Sequence, residues 1–285
     1  MTILEAMERA KKLGKERKAA EGTQAARARA PAARIALPGF DVPRVKPAEF
    51  VRIAYDTKAC EESRILVPDS AGPVTPGTAD AYNMLRTRIL QRARANGWTK
   101  VALTSPGPGE GKSVTALNLA LSIARERHNS VFLLDFDLRN PSVCRHLGLE
   151  PKVEIARFLS GEVGPESVFF SIGVENLSLA GGLLRVEQSS DLLTTGRIEQ
   201  LFDYIRSIAS HPLILIDLAP ALSTADVLVV APKVDATLLV VAQGKTRRDS
   251  LARTVELLSE YTVVGVALNR SRELLSDYYG HYRAY

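Results

Sequence analysis

Cysteine is scarce in this sequence. Only Cys60 and Cys144 occur among 285 residues, too few and too far apart for a disulfide framework or a thiolate metal site. A reducing, cytoplasmic setting is the expectation. The four histidines are scattered, so imidazole-based metal binding has no motif to rest on. Long apolar runs are missing too. The longest, such as "VFLL" and "ATLLVVA", have the length of strands, far short of the ~18–20 residues of a membrane span. No apolar stretch follows the first charges, which speaks against a secretory signal. The formal charge of +5 permits contact with anionic surfaces without arguing for them, and no nucleic-acid partner is expected.

What is present is an ordinary globular composition, 46% hydrophobic, in a chain long enough for one large α/β domain with appendages. The basic excess is local: residues 1–34 carry nine Lys/Arg against four Glu. Residues 3–20 read as a helix with Ile3, Leu4, Met7 and Ala10 on one face. It is either a solvated helix packing one stripe on its own domain or a docking helix for a partner or membrane surface. Residues 21–49, rich in Ala, Arg and Pro, read as an extended, flexible linker. A second break, "SAGPVTPGT", covers 70–78, and the stretch between the breaks reads as a short helical or strand-like adapter. From residue 80 a helix closes at Gly97. Strand-length apolar runs follow at 100–104, 131–136, 176–180, 213–217, 236–242 and 263–268, several separated by helical stretches. Alternating strands and helices imply a doubly wound, mostly parallel α/β sheet covered on both faces. The division expected is 1–79 for the N-terminal extension, 80–275 for the domain and 276–285 for a tail.

The strongest local signal is "VALTSPGPGEGKSVTALNLALSIARER", a strand, a glycine-rich turn, then a helix with apolar periodicity. This is the context a phosphate-binding loop requires. Gly107, Gly109 and Gly111 let backbone N–H groups approach phosphate oxygens, with Glu110 and Val114 in the same stretch. The helix aims its N-terminus at the same anion. Lys112 is placed to reach the β/γ-phosphates and Ser113 to offer its hydroxyl to Mg²⁺. "VFLLDFDLRNPS" ends an apolar strand in Asp135 and Asp137, and "LILIDLAP" ends another in Asp217. Ligands bind in such sheets beyond the carboxyl ends of the strands. Three carboxylates at two strand ends, beside a phosphate loop, favour nucleotide and metal work over ordinary helix caps.

At these residues the sequence resembles the bacterial protein-tyrosine kinase (BY-kinase) family, in its form without a membrane anchor, which accompanies polysaccharide export. The resemblance covers about residues 80–285. It rests on "SPGPGEGKS" as Walker A, "LLDFDLRNPS" as Walker A′, "LILIDLAP" as Walker B, and a terminal tyrosine cluster in "DYYGHYRAY". It implies a P-loop NTPase-type fold and an ATP- and Mg²⁺-dependent tyrosine autokinase. Lys112 would neutralise phosphate charge, and Ser113, Asp137 and Asp217 would hold Mg²⁺. Asp135 would orient or deprotonate the tyrosine hydroxyl, and Asn269 would contact adenine. Tyr278, Tyr279, Tyr282 and Tyr285 would be the phosphoacceptors, entering a neighbour's active site. The resemblance also implies a homo-oligomer, a transmembrane polysaccharide co-polymerase as activator at the inner face of the membrane, and a cognate tyrosine phosphatase.

The sequence departs from the family pattern at several points. The family's oligomerisation helix carries Glu-x-x-Arg-x-x-Arg, where this chain has Asp80, Asn83 and Arg86. Leu218 and Ala219 replace Thr and Pro after the Walker B aspartate, and Val114 stands where a hydroxyl residue often meets the α-phosphate. Two other classes stay open: a Min- or partition-type ATPase switch on the same fold, and an ATP-binding regulator without catalysis. The first typically carries a lysine where this chain has Gly107.

Overall fold

The computed structural model describes residues 50–68, 76–126 and 130–271. The basic helix at 3–20, the linker at 21–49 and the tyrosine tail lie outside the described residues, as does most of the break at 70–78.

Eight strands form one sheet: β1 (Val51–Arg52), β2 (Lys100–Thr104), β3 (Ser130–Asp135), β4 (Phe170–Ser171), β5 (Leu177–Ala180), β6 (Pro212–Asp217), β7 (Ala236–Ala242) and β8 (Val263–Asn269). Their order is β1-β4-β5-β3-β6-β2-β7-β8, parallel throughout except for the β4–β5 pair. The sheet is doubly wound because its strands bury both faces. Along β3, Val131 and Leu133 enter one core, while Phe132 and Leu134 enter the other. The same alternation runs through Leu213 to Ile216 in β6. That two-sided burial is why the strands read as continuous apolar runs.

One face is covered by α1 (Thr57–Ser63), α2 (Pro76–Asn96), α3 (Lys112–Ala124) and α4 (Val143–Leu147). The other is covered mainly by α5 (Ile155–Leu159), α6 (Ser189–Thr194), α7 (Arg197–Ile208) and α8 (Asp226–Val230), with α9 (Arg248–Leu257) adding Leu257 at its end. Helix α7 shows the usual logic. Ile198, Leu201, Phe202, Ile205 and Ile208 recur at helical spacing and are buried, while the intervening polar residues face water. Helix α3 is different: every residue but Val114 is buried, because α2 packs over it. Helix α2 stops before Gly97, which takes a left-handed φ of 69° that a side chain would resist.

The domain is larger at its N-terminal side than residues 80–275. Strand β1 pairs with β4, and Phe50 packs on Phe169 with ring centroids 5.3 Å apart. Cys60 and Ile65 are fully buried in the α1–α4 face. Asn118 of α3 accepts from the Leu66 amide at 2.8 Å and donates to the Arg64 carbonyl at 3.0 Å. Residues 50–67 are therefore part of the folded unit rather than an adapter outside it. Two-residue strands leave too little alternation to be told from a loop in sequence.

Candidate nucleotide site

Strand β2 lies between β6 and β7, and β3 lies on the far side of β6. In register, Leu103 of β2 faces Asp217 of β6, and Asp217 faces Asp135 of β3. The carboxyl ends of three neighbouring strands thus finish at one level. The loop after β2 leads into α3 there. It is held from beneath by the segment after β6: Leu218 N–H donates to the Leu103 carbonyl at 2.9 Å and Ala221 N–H to the Ser105 carbonyl at 2.8 Å. Leu218 and Ala219 are buried, and the Ala219 carbonyl accepts from the Thr104 hydroxyl at 2.7 Å. The two family departures fill space under the loop and leave Asp217 in place.

Gly109 and Gly111 both have left-handed φ, 67° and 88°. A side chain at Gly109 would come within 2.6 Å of Lys245 Nζ, and one at Gly111 would collide with Asn269 Nδ2. The loop needs glycine for both conformation and room. Val114, half-buried, packs against the α1–α4 core, so the absent hydroxyl is exchanged for apolar contact.

Lys112 is the centre of the site. Its Nζ lies 2.7 Å from Asp137 Oδ2, 3.2 Å from Asp217 Oδ1 and 3.2 Å from Ser113 Oγ. Burial alone would lower the lysine pKa, but Asp217, Asp137 and Asp135 together raise it above its ordinary value. The ammonium therefore stays charged and binds the two metal-candidate carboxylates to the phosphate loop. Asp217 is fully enclosed, and burial pushes its carboxyl up despite Lys112 and Ser113. Its Oδ2 has no hydrogen-bond partner.

Asp135 is equally enclosed but differently employed. Oδ2 accepts from the Ser142 and Val143 amides, both at 2.9 Å, and Oδ1 from the Asp137 amide at 3.1 Å. It ties the turn after β3 to the start of α4. Burial, and then the charge of Asp217, push its pKa up to about 7 despite Lys112 and these amides. A tyrosine hydroxyl can reach this carboxylate only by displacing some of what encloses it.

Glu110 turns inward and is nearly buried, with Oε2 unpartnered. Burial raises its pKa, opposed by hydrogen bonds from Thr246 and Gly107 and by the charges of Lys245 and Arg270. Asn269 donates through Nδ2 to the Glu110 carbonyl at 2.9 Å, so it touches the loop directly. Three residues at this side were not singled out in sequence: Lys245, Thr246 and Arg270. Their separation from the loop by more than a hundred positions left no local signal. A second unnoticed network lies beyond Asp137. Asp226, fully buried, accepts from the Ser189 hydroxyl at 2.7 Å and the Ser190 hydroxyl at 2.5 Å, while Arg139 Nε donates to Ser189 Oγ at 2.9 Å. It anchors the Walker A′ turn to α6 and α8.

On α2, the altered family motif faces its own domain. Asn83 accepts from the Ser122 hydroxyl at 3.1 Å. Arg86 donates to the Ser122 carbonyl at 3.1 Å and lies 3.4 Å from Glu126. Asp80 is exposed.

The donor set fits a magnesium nucleotide. Ser113, Asp137 and Asp217 offer only oxygen, as a hard cation requires, and Asp217 Oδ2 is a buried acceptor lacking a donor. Among the described residues no group of three His, Cys, Asp or Glu side chains could hold a metal. Mg²⁺ typically binds one or two carboxylates and completes its shell with phosphates and water.

No protein-family model matches the chain. Tyrosine-protein kinase YwqD of Bacillus subtilis is 27% identical over 206 residues, 72% of this chain and 86% of YwqD. Tyrosine-protein kinase CpsD of Streptococcus pneumoniae is 27% identical over 216 residues, 72% of this chain and 88% of CpsD. Among solved structures, the VpsO kinase domain is similar with a TM-score of 0.60 and 28% identity, covering 68% of this chain and 95% of that one. These likenesses span most of each relative. Over more than two thirds of its length the chain is similar to bacterial tyrosine-protein kinases.

Proposed function

We propose that this protein is an ATP-dependent tyrosine autokinase whose acceptors are Tyr278, Tyr279, Tyr282 and Tyr285. The observation that carries the reading is the Lys112 ammonium bridging Asp137 and Asp217 at the mouth of a glycine-rich loop. Phosphoryl transfer needs positioning and charge neutralisation more than covalent help from the protein. Lys112 supplies a fixed positive charge for β- and γ-phosphate oxygens. Ser113, Asp137 and Asp217 would hold Mg²⁺, and Asn269 would border the adenine, as the family resemblance implies. Bound Mg·ATP supplies the phosphoryl group. The tyrosine oxygen takes that group and its proton must leave. Asp135, with a pKa pushed up to about 7, has the basicity a proton acceptor needs at neutral pH.

A tail joined to the end of β8 serves best in trans, offered to a second copy. No helix among the described residues is long and apolar enough to cross a membrane. Recruitment and activation by the cytoplasmic segment of a transmembrane polysaccharide co-polymerase, with a tyrosine phosphatase reversing the mark, completes the reading. Its role is control of exopolysaccharide or capsule assembly and export.

The test is incubation with Mg·ATP, with and without such a co-polymerase segment, followed by mass mapping of phosphotyrosine. Label in the tail is expected, and Tyr→Phe at all four positions should remove most of it while ATP binding persists. Phosphate released to solution with no protein-bound label would favour the ATPase switch instead. ATP binding with neither label nor released phosphate would favour the regulator without catalysis.

A further inference from the structure

We infer that Lys245 and Arg270 are positioning residues that hold the phosphate loop in its anion-binding shape from the side opposite the phosphates. The inference rests on the reading of this loop as an ATP site. Both side chains converge on one atom. Lys245 Nζ donates to the Gly109 carbonyl at 3.1 Å, and Arg270 Nη2 donates to the same oxygen at 2.9 Å. The next carbonyl, of Glu110, accepts from Asn269 Nδ2 at 2.9 Å. Two successive loop carbonyls are thus fixed from one side.

The peptide group makes this consequential. In a planar trans peptide, the carbonyl of one residue and the N–H of the next point in opposite directions. Holding the Gly109 and Glu110 carbonyls toward Lys245, Arg270 and Asn269 therefore turns the Glu110 and Gly111 amides the other way. Successive amides turned together make an anion-binding nest. Without outside donors, a loop with glycines at 107, 109 and 111 is free to rotate these peptides and lose the nest.

The donors are themselves well placed. Strands β7 and β8 are paired so that Ala242 faces Asn269, and the Gln243 amide donates to the Asn269 carbonyl at 2.9 Å. After β7 the chain makes a closed turn: Lys245 and Thr246 amides return to the Ala242 carbonyl, and the Thr246 hydroxyl accepts from the Ala242 amide at 2.8 Å. After β8, Arg270 adopts a φ of 57°, and its amide donates to Asn269 Oδ1 at 2.8 Å. The ends of two bonded strands thus bring their cations to one loop carbonyl. Their charges also oppose the cost of burying Glu110, the loop residue between the two gripped peptides.

Two donors on one acceptor should be partly redundant. Lys245→Met and Arg270→Met are each expected to weaken ATP and ADP binding by about threefold, the worth of one hydrogen bond whose acceptor keeps another donor. The double variant should weaken both by about fiftyfold, well beyond the product of the singles. ATP and ADP should suffer alike, because both present a β-phosphate to the loop. The effect should fall on KM for ATP, with kcat held within about threefold. Lys245→Arg should restore most of the affinity. Both side chains are exposed, so the variants should fold, with unchanged thermal midpoints as the check. Binding is measured calorimetrically on the full chain. Wild-type affinity in the double variant would overturn the inference. So would loss confined to ATP, which would mean direct contact with the terminal phosphate, or strictly multiplicative losses, which would mean two independent charges. Failure of the wild-type chain to bind either nucleotide would overturn the ATP reading itself.

Discussion

Strands β3 and β6 end on the same residue type at the same level, yet their two aspartates do different work. Asp135 and Asp217 are partners in register, and both are fully buried. The end of β3 is closed: three backbone amides converge on Asp135 and the chain turns around it into α4. The end of β6 is open in the chemical sense. Asp217 has no backbone donor, only the Lys112 and Ser113 side chains beside it, and one oxygen with no donor. A buried acceptor without a donor costs stability, about 1–3 kcal/mol for an ordinary group. Such a cost persists where the vacant acceptor is needed for something outside the chain. The pair teaches that a strand-terminal carboxylate in this fold can be a fastening or a ligand, and that the count of its donors tells which.

The largest disruption of this contrast is Lys112→Met, which removes the cation both strand ends share. Phosphotyrosine formation should fall by at least about a thousandfold, since the charge that stabilises the transferring group is gone. Loss of the ammonium also leaves Asp137 and Asp217 unpaired, at a cost of up to about 3–5 kcal/mol in urea unfolding, reduced if they take up protons. Activity near wild type would remove Lys112 from the centre of the site. Next in size is Asp217→Asn, which changes the open end alone. Autophosphorylation should drop by about a hundredfold and require at least about tenfold more Mg²⁺. Urea unfolding without nucleotide should be unchanged or slightly harder, because the amide is cheaper to bury than the carboxylate. Unaltered Mg²⁺ dependence would assign the metal elsewhere.

The sheet and the central motifs were legible in sequence because the physics behind them is local. A parallel strand buried on both faces is an unbroken apolar run, and all six runs singled out in the sequence became strands within a residue at either end. The phosphate loop is legible because it needs Gly109 and Gly111 and a following Lys and Ser within seven residues. Position alone could not separate Asp135 from Asp217, since both simply end apolar strands. Their difference depends on Ser142 and Val143, which reach Asp135 only after the chain has turned into α4. Phe50 and β1 were not legible as core because their partners, Phe169 and β4, are more than a hundred residues away. The Lys245 and Arg270 grip on Gly109 is hidden for the same reason. The departure at Asn83 and the retained Arg86 gained meaning only from Ser122 on α3 and Glu126 just beyond it, which hold them against their own domain.

The remaining comparison lies at the closed end, where stability rather than turnover is read, and it sharpens the contrast through pH. Asp135→Asn keeps one oxygen for the Ser142 and Val143 amides but turns an NH₂ toward the Asp137 amide, setting donor against donor. The nucleotide-free protein should lose about 1–3 kcal/mol in urea unfolding near neutral pH. Asp135 titrates near its ordinary value when unfolded and is pushed up to about 7 when folded. The folded chain therefore holds this proton more tightly, and the stabilisation is complete below about pH 4 and lost as pH rises through about 7. The asparagine cannot titrate. The stability gap between wild type and Asp135→Asn should narrow steadily from pH 4 to 7. Asp217 is the charge that helps to raise Asp135, so the same comparison on an Asp217→Asn background should show a shallower narrowing. A gap that widens with pH would mean that Asp135 ionises more easily in the fold than outside it. In that case its amide donors outweigh burial, and the closed end of β3 would be a better home for negative charge than the open end of β6.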